Sequence, residues 1–298
     1  MKLRFRLISL FTIIGLVGAE VGVRLAGLVD FPLYEANPVV GYIPAANQSG
    51  SFLNKNAWRF NAQHMGAAAF EPGSGANVLL VGDSLVLGGN PYREVDRLAP
   101  SLQALLPAGS RVWPISAGSW ALRNELAWLR SNPDVVNKVS AIVFVVNSGD
   151  FAEASSWSCE LTHPTQKPTL ALLYLFEKYV HAFSPCDGTV PVGLQVPPGD
   201  LPSELQAFLN GRADKVHFVW YADKPEQADA QLRQTKRTPQ FAILKAAGGA
   251  KHLVSVADDP RWSAAYYRDG IHATPEGNRV LADIIKSDLV RAGVVADK

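Results

Sequence analysis

The chain has 298 residues, 48% hydrophobic and 18% charged, with 28 Lys+Arg against 27 Asp+Glu. A net charge of +1 argues against a nucleic-acid binder, which needs a basic surplus to neutralise phosphates. Two cysteines exclude both a disulfide-rich scaffold and a zinc site built from several thiolates.

Residues 1–29 read as a membrane address. Lys2, Arg4 and Arg6 precede the uncharged run Leu7–Ala19, the pattern of an export signal whose positive end stays cytoplasmic. Apolar residues continue to Val29, and the interrupting Glu20 and Arg24 stand four apart in the order that favours a helical ion pair. A helix over Leu7–Val29 reaches roughly 34 Å, enough to cross a hydrocarbon core. Two outcomes stay open. An uncleaved signal anchor gives a single-pass membrane protein; cleavage after Val17-Gly18-Ala19 gives a secreted one. Either delivers the rest of the chain to the non-cytoplasmic side, periplasmic or extracellular. There Cys159 and Cys186 can close a loop worth roughly 3–4 kcal/mol on the chain-entropy model, or remain two thiols.

Residues 30–76, rich in Pro, Gly, Ala and Asn, show little sustained periodicity and are expected to be a lead-in folded back on the domain that follows. From residue 77 to 298, short apolar runs alternate with amphipathic segments. The runs are Asn77–Val81, Arg111–Ser116, Ala141–Val146, Val216–Tyr221 and His252–Val256, read as strands buried on both faces of a parallel sheet. Pro114 weakens the second. Leucine stripes at 98, 102, 105 and 106 and at 122, 126 and 129 predict helices. Another is predicted after Thr274-Pro275, with Leu281, Ile284, Ile285 and Leu289 on one face. This alternation implies a doubly wound α/β fold with ligands at the carboxyl ends of the strands. Residues 152–212 break the rhythm as an elaboration on that frame.

The first strand ends in Gly82-Asp83-Ser84-Leu85, which puts a serine where such sheets place function. Gly82 is read as permitting a tight turn. Taken alone, Ser84 is equally a helix cap. Far along the chain stands Asp269-Gly270-Ile271-His272. A serine hydroxyl becomes nucleophilic when a base takes its proton, imidazole is the usual base near neutral pH, and a carboxylate fixes its tautomer. Taken alone, that segment is an ordinary polar loop.

The two motifs together resemble the SGNH (GDSL) hydrolase family over about residues 77–290. The resemblance implies a flavodoxin-like sheet of strand order 2-1-3-4-5, ester chemistry, Ser84 as nucleophile, His272 as base and Asp269 as its orienting carboxylate. The family's second block implies an oxyanion-hole amide at Gly118, or at Ala121 in a register three residues later, beside the amide of Ser84. Its third block normally reads Gly-x-Asn-Asp. Here the stretch is Asn147-Ser148-Gly149-Asp150, so the asparagine is displaced by two residues. Asn147 then either reaches the hole from one layer deeper or serves as a structural hydrogen-bonder. No cofactor or metal is called for.

Of seven tryptophans, Trp120 beside the proposed hole is the candidate substrate contact. His64, His163, His181, His217 and His252 scatter without metal-ligand spacing. The expected function is a serine esterase acting on acyl, foremost acetyl, esters of envelope or exported polysaccharide. The alternatives are a polysaccharide O-acyltransferase using the same residues, or a non-catalytic carbohydrate-binding or assembly protein on a degenerate scaffold.

Overall fold

The structure, a computed structural model, describes residues 2–180, 186–249 and 251–297. The N-terminal part comprises α1 (Lys2–Leu25), β1 (Tyr34–Asn37), β2 (Gly41–Pro44), β3 (Gln48–Phe52) and β4 (Asn56–Phe60). There follow β5 (Asn77–Gly82), α2 (Ser84–Leu87), α3 (Leu98–Leu105), β6 (Arg111–Ser116), α4 (Leu122–Ser131), α5 (Pro133–Lys138) and β7 (Ala141–Val146). The last part holds α6 (Ala171–Tyr179), α7 (Leu201–Leu209), β8 (Val216–Trp220), α8 (Lys224–Ala228), α9 (Ala230–Ala246), β9 (Leu253–Ser255) and α10 (Pro275–Arg291).

The five apolar runs pair in parallel in the order β6-β5-β7-β8-β9, the 2-1-3-4-5 arrangement of a flavodoxin-like sheet. Both faces are covered, as the uninterrupted hydrophobicity of the strands requires. Leu79 and Val81 enter a core with Leu122, Leu126, Leu205 and Leu244, so α4, α7 and α9 cover that face. Val78 and Leu80 enter the opposite core with Leu98, Leu102, Leu281 and Ile285, contributed by α3 and α10. Pro114 is accommodated because β6 is an edge strand, where a missing N–H breaks no inner ladder; its carbonyl accepts from Gly66 N at 3.0 Å.

The lead-in is more regular than its sequence suggests. It contains two antiparallel hairpins, β1-β2 and β3-β4, and sends Tyr42 and Ile43 into the core beneath α4. Asn124 on α4 is fully buried. Its amide donates to Val40 O at 3.0 Å and Ser155 O at 2.8 Å, which ties the lead-in and the 152–212 elaboration to the sheet domain.

The helix α1 ends at Leu25 rather than Val29. Gly27 turns left-handed at φ 69° and Leu28 N donates back to Val23 O at 3.2 Å, a closure that glycine permits cheaply. Val29 is buried with Phe31, Cys159 and Tyr174 instead. Arg4–Leu25 is long and apolar enough to cross a membrane by length and composition. Glu20 and Arg24 pair at 2.6 Å, and both also reach the elaboration. Glu20 accepts from Ala171 N and Leu172 N at the start of α6, and Arg24 donates to the carbonyls of Pro168 and Thr169. Cys159 and Cys186 are disulfide-bonded with Cα atoms 5.5 Å apart, enclosing α6.

Candidate active site

The strand β5 carries the chain to the carboxyl edge of the sheet, where Asp83 caps α2 by accepting from Leu85 N at 2.8 Å. Capping therefore falls to Asp83, and the Ser84 hydroxyl is left for another partner. Gly82 is not in the left-handed region. A Cβ there would stand 2.6 Å from Val86 Cγ2 and 3.1 Å from Val145 O, so close packing, not a tight turn, demands glycine.

That other partner arrives from the end of the chain. Tyr92, in the loop after α2, donates its hydroxyl to Ala273 O, and Lys224 N donates to Gly270 O at 2.9 Å. Thr274 caps α10 through Gly277 N at 3.0 Å. Within the loop so anchored, Asp269 Oδ1 accepts from Ile271 N at 3.0 Å and His272 N at 2.8 Å, an Asx turn. Both Asp269 carboxylate oxygens lie 3.0 Å from His272 Nδ1. On the other side of the ring, His272 Nε2 lies 3.0 Å from Ser84 Oγ, across a separation of 188 residues. With its proton on Nδ1, facing the carboxylate, the imidazole presents Nε2 as acceptor for the serine O–H. Burial pushes the Asp269 carboxyl up, but the N–H groups of Ile271 and His272 and the Arg268 guanidinium outweigh it and hold it well below the carboxylate range. Asp269 is thus an anion wherever the histidine needs one.

Gly118 occupies the turn after β6. Its carbonyl accepts from Tyr42 Oη at 2.8 Å and lies 3.2 Å from His163 Nε2. Burial lowers the His163 pKa to about 4, so the ring is neutral at neutral pH, and Nε2–H is the tautomer that can donate here. The Ala121 N–H is already given to Asn124 Oδ1 at 3.0 Å. Among the described residues, the backbone N–H groups of Ser84 and Gly118 donate to no protein acceptor.

Asn147 is buried. Its Oδ1 accepts from Gly149 N at 2.7 Å and its Nδ2 donates to Asp83 Oδ2 at 3.1 Å. Trp120 is placed otherwise than expected. It is 2% exposed, with its indole N–H given to Tyr42 O at 2.6 Å, so it fills core beneath the site and offers no face to a substrate. Beneath the serine also lie carboxyl groups whose burial the sequence did not reveal. Burial raises Asp83 to about 6 against the donors from Leu85 and Asn147. Glu125 and Asp150 are pushed well above their usual range by burial and by the Asp83 charge. Neither Glu125 oxygen has a hydrogen-bond partner. Tyr42 and His163, which set the Gly118 turn, gave no local signal, because each acts across a long sequence gap.

Away from the serine, His217, His252 and Asp288 bring candidate ligand atoms within 4.8 Å of one another, a grouping that chain spacing did not disclose. His217 Nδ1 lies 2.6 Å from Asp288 Oδ2. The two imidazoles stack with centroids 4.4 Å apart and planes at 19°. His64 Nδ1 meets Pro44 O at 2.9 Å, and His181 lies outside the described residues.

No protein-family model matches the chain, and no curated protein does. Solved structures similar to it include a lipase/acylhydrolase from Enterococcus faecalis, 14% identical, covering 75% of this chain and 98% of its own, with a TM-score of 0.44. A carbohydrate acetylesterase family member from Sinorhizobium meliloti is 17% identical, covering 73% and 98%, with a TM-score of 0.39. A catalytic mutant of an acetylxylan esterase from Geobacillus stearothermophilus is 15% identical, covering 76% and 99%, with a TM-score of 0.38. With its parallel five-strand sheet, a serine at the end of β5 and the Asp-x-x-His loop before α10, the chain resembles the SGNH hydrolases in strand order as well as in motif.

Proposed function

We propose that the protein is a serine esterase that cleaves acyl, foremost acetyl, esters through a covalent Ser84 intermediate. The observation that carries this reading is the 3.0 Å approach of Ser84 Oγ to His272 Nε2, with Asp269 3.0 Å behind Nδ1. Ser84 attacks the acyl carbonyl while His272 accepts the hydroxyl proton, and Asp269 stabilises the imidazolium. The N–H groups of Ser84 and Gly118 hold the oxyanion, each such donor being worth about 2.7–4 kcal/mol. Asn147 acts by bracing Asp83 and the turn after β7. His272 then protonates the departing alcohol, and water, activated by the same imidazole, releases the acid.

The apolar helix α1 and the Cys159–Cys186 disulfide support a domain on the non-cytoplasmic side, where disulfides persist. In this reading α1 is the anchor, and residues 30–76 and 152–212 are parts of the hydrolase body. The substrates met there are acyl esters on envelope or exported polysaccharide.

Full-length protein in detergent should hydrolyse 4-nitrophenyl acetate, and Ser84→Ala should remove about 10³–10⁴ or more of that rate. Acceptor-dependent turnover with little hydrolysis in the presence of oligosaccharide would replace water by a sugar hydroxyl and make the protein an acyltransferase. No serine-dependent turnover under either condition would defeat the catalytic reading.

A further inference from the structure

A cavity of about 110 Å³ reaches the end of the helix that carries Ser84. One wall carries Leu87, the last residue of the helix that Ser84 begins. Another carries Thr162, the neighbour of His163, whose ring meets the Gly118 carbonyl. Leu87 thus links the cavity to the serine's helix, and Thr162 links it through His163 to the Gly118 turn, although Ser84, His272 and Gly118 are not themselves among its lining. It is lined by four aromatic rings, Phe31, Tyr34, Trp58 and Phe60, and by two cations, Arg97 and Lys178.

Among the described residues, neither Arg97 nor Lys178 forms a salt bridge, whereas neighbouring charges are matched: Arg59 pairs with Glu94 and Lys167 with Asp30. Arg97 gives Nη2 to Ala57 O at 3.2 Å, and its Nε is buried without any partner. Its stem lies against Gly88, where a Cβ would come within 2.9 Å of Arg97 Cγ, so the turn after the serine's helix holds the guanidinium in place. Lys178 donates to Tyr174 Oη at 2.9 Å and stands 5.7 Å from the Phe31 centroid; among the described residues its ammonium makes no other hydrogen bond, though it has three donors. Burial lowers both pKa values from their ordinary positions, at Arg97 against the opposing pull of Glu94, the direction expected of cations kept from water. Arginine and lysine over aromatic walls recognise an anionic group attached to a ring, because the rings pack its apolar faces while the cations take the charge.

We propose that this cavity is an anion subsite of the same active site, and that the ester is carried by an acidic saccharide whose carboxylate or phosphate binds between Arg97 and Lys178. The proposal rests on the acyl-ester reading for its substrate. Its binding step can still be measured without catalysis.

Calorimetric titration of full-length Ser84→Ala in detergent separates the two. Three trisaccharides of matched size are compared: one bearing uronate, one bearing a sugar phosphate and one neutral. An anionic trisaccharide should bind at least tenfold more tightly than the neutral one. Arg97→Gln and Lys178→Gln should each weaken that binding about tenfold, with melting temperature reporting that both variants are folded. Uronate binding alone identifies a carboxylate, and phosphate binding alone identifies a phosphate. Equal affinity for the neutral sugar, no binding by any of the three, or undiminished binding by both folded variants would overturn the subsite. Because nothing is hydrolysed in this assay, those results leave the esterase reading to its own test.

Discussion

Asn147 Nδ2 donates to Asp83 Oδ2 at 3.1 Å, joining the turn after β7 to the residue immediately before Ser84. The same asparagine caps the 3-10 turn Ser148–Phe151 through Gly149 N, and its own N–H is taken by Asp150 at 2.6 Å. The displaced asparagine thus works as a buried brace under the serine. Asn147→Ala should cost about 1–3 kcal/mol, because a buried carboxylate and a turn N–H each lose a partner. Urea denaturation measures this; a loss under about 0.5 kcal/mol would show that the brace carries little.

The carboxyl cluster beneath that brace predicts an unusual pH dependence of stability. An acid whose folded pKa exceeds its unfolded value binds more protons when folded, so its contribution to stability falls as pH rises between the two values. For Asp83 that window runs from 3.8 to about 6, and Glu125 and Asp150 shift in the same direction. Asp269 shifts the opposite way, and its stabilising contribution is lost only as pH falls below the ordinary carboxylate range. The Asp83 contribution to the melting temperature should therefore decline as pH rises from about 4 to about 6, with Glu125 and Asp150 acting in the same direction. Glu125→Gln, neutral throughout, should make the fall in melting temperature with rising pH shallower by about 2–4 °C. Parallel profiles for the two proteins would mean that Glu125 is not held protonated.

Gly118 offers a test of the oxyanion turn. A Cβ at this position would meet only His163 Nε2, at an ordinary 3.9 Å, and its φ is not left-handed. Gly118→Ala should keep esterase kcat within a few-fold, since the amide remains. Gly118→Pro removes the N–H and should lower kcat by about 10²–10³ with a smaller effect on KM. Equal rates for the two folded variants would exclude the Gly118 amide from the hole.

The Cys159–Cys186 bridge closes a separation of 27 residues, worth about 3–4 kcal/mol on the loop-entropy model. The double variant Cys159→Ser/Cys186→Ser should unfold at correspondingly lower denaturant. Dithiothreitol should destabilise the wild type and leave the variant unmoved. Insensitivity of both to reductant would show that the elaboration is held by other contacts.

The five strands were legible because each is a short β-branched or aromatic run buried on both faces, and the clearest, β5 and β7, form the middle of the sheet. Ser84, Asp269 and His272 were legible as types in local motifs, but their meeting depends on contacts such as Tyr92 to Ala273 that no local pattern announces. The hairpins of residues 30–76 were hidden because segments such as YEAN and QSGSF carry no clear alternation; partners across the turn and the core beneath α4 decide their pairing. Trp120 was misplaced for a related reason. Proximity in sequence to Gly118 does not say which way an indole points, and Tyr42, 78 residues earlier, takes its N–H. The end of α1 slipped from Val29 to Leu25 because hydropathy continued past the point where Gly27 could turn the chain.

The most direct test of the central claim is mass spectrometry of the full-length protein after treatment with a fluorophosphonate. One covalent adduct should form, on the peptide containing Ser84, lost in Ser84→Ala and strongly slowed in folded His272→Ala. An adduct elsewhere, or none on wild-type protein that turns over an acetyl ester, would contradict it.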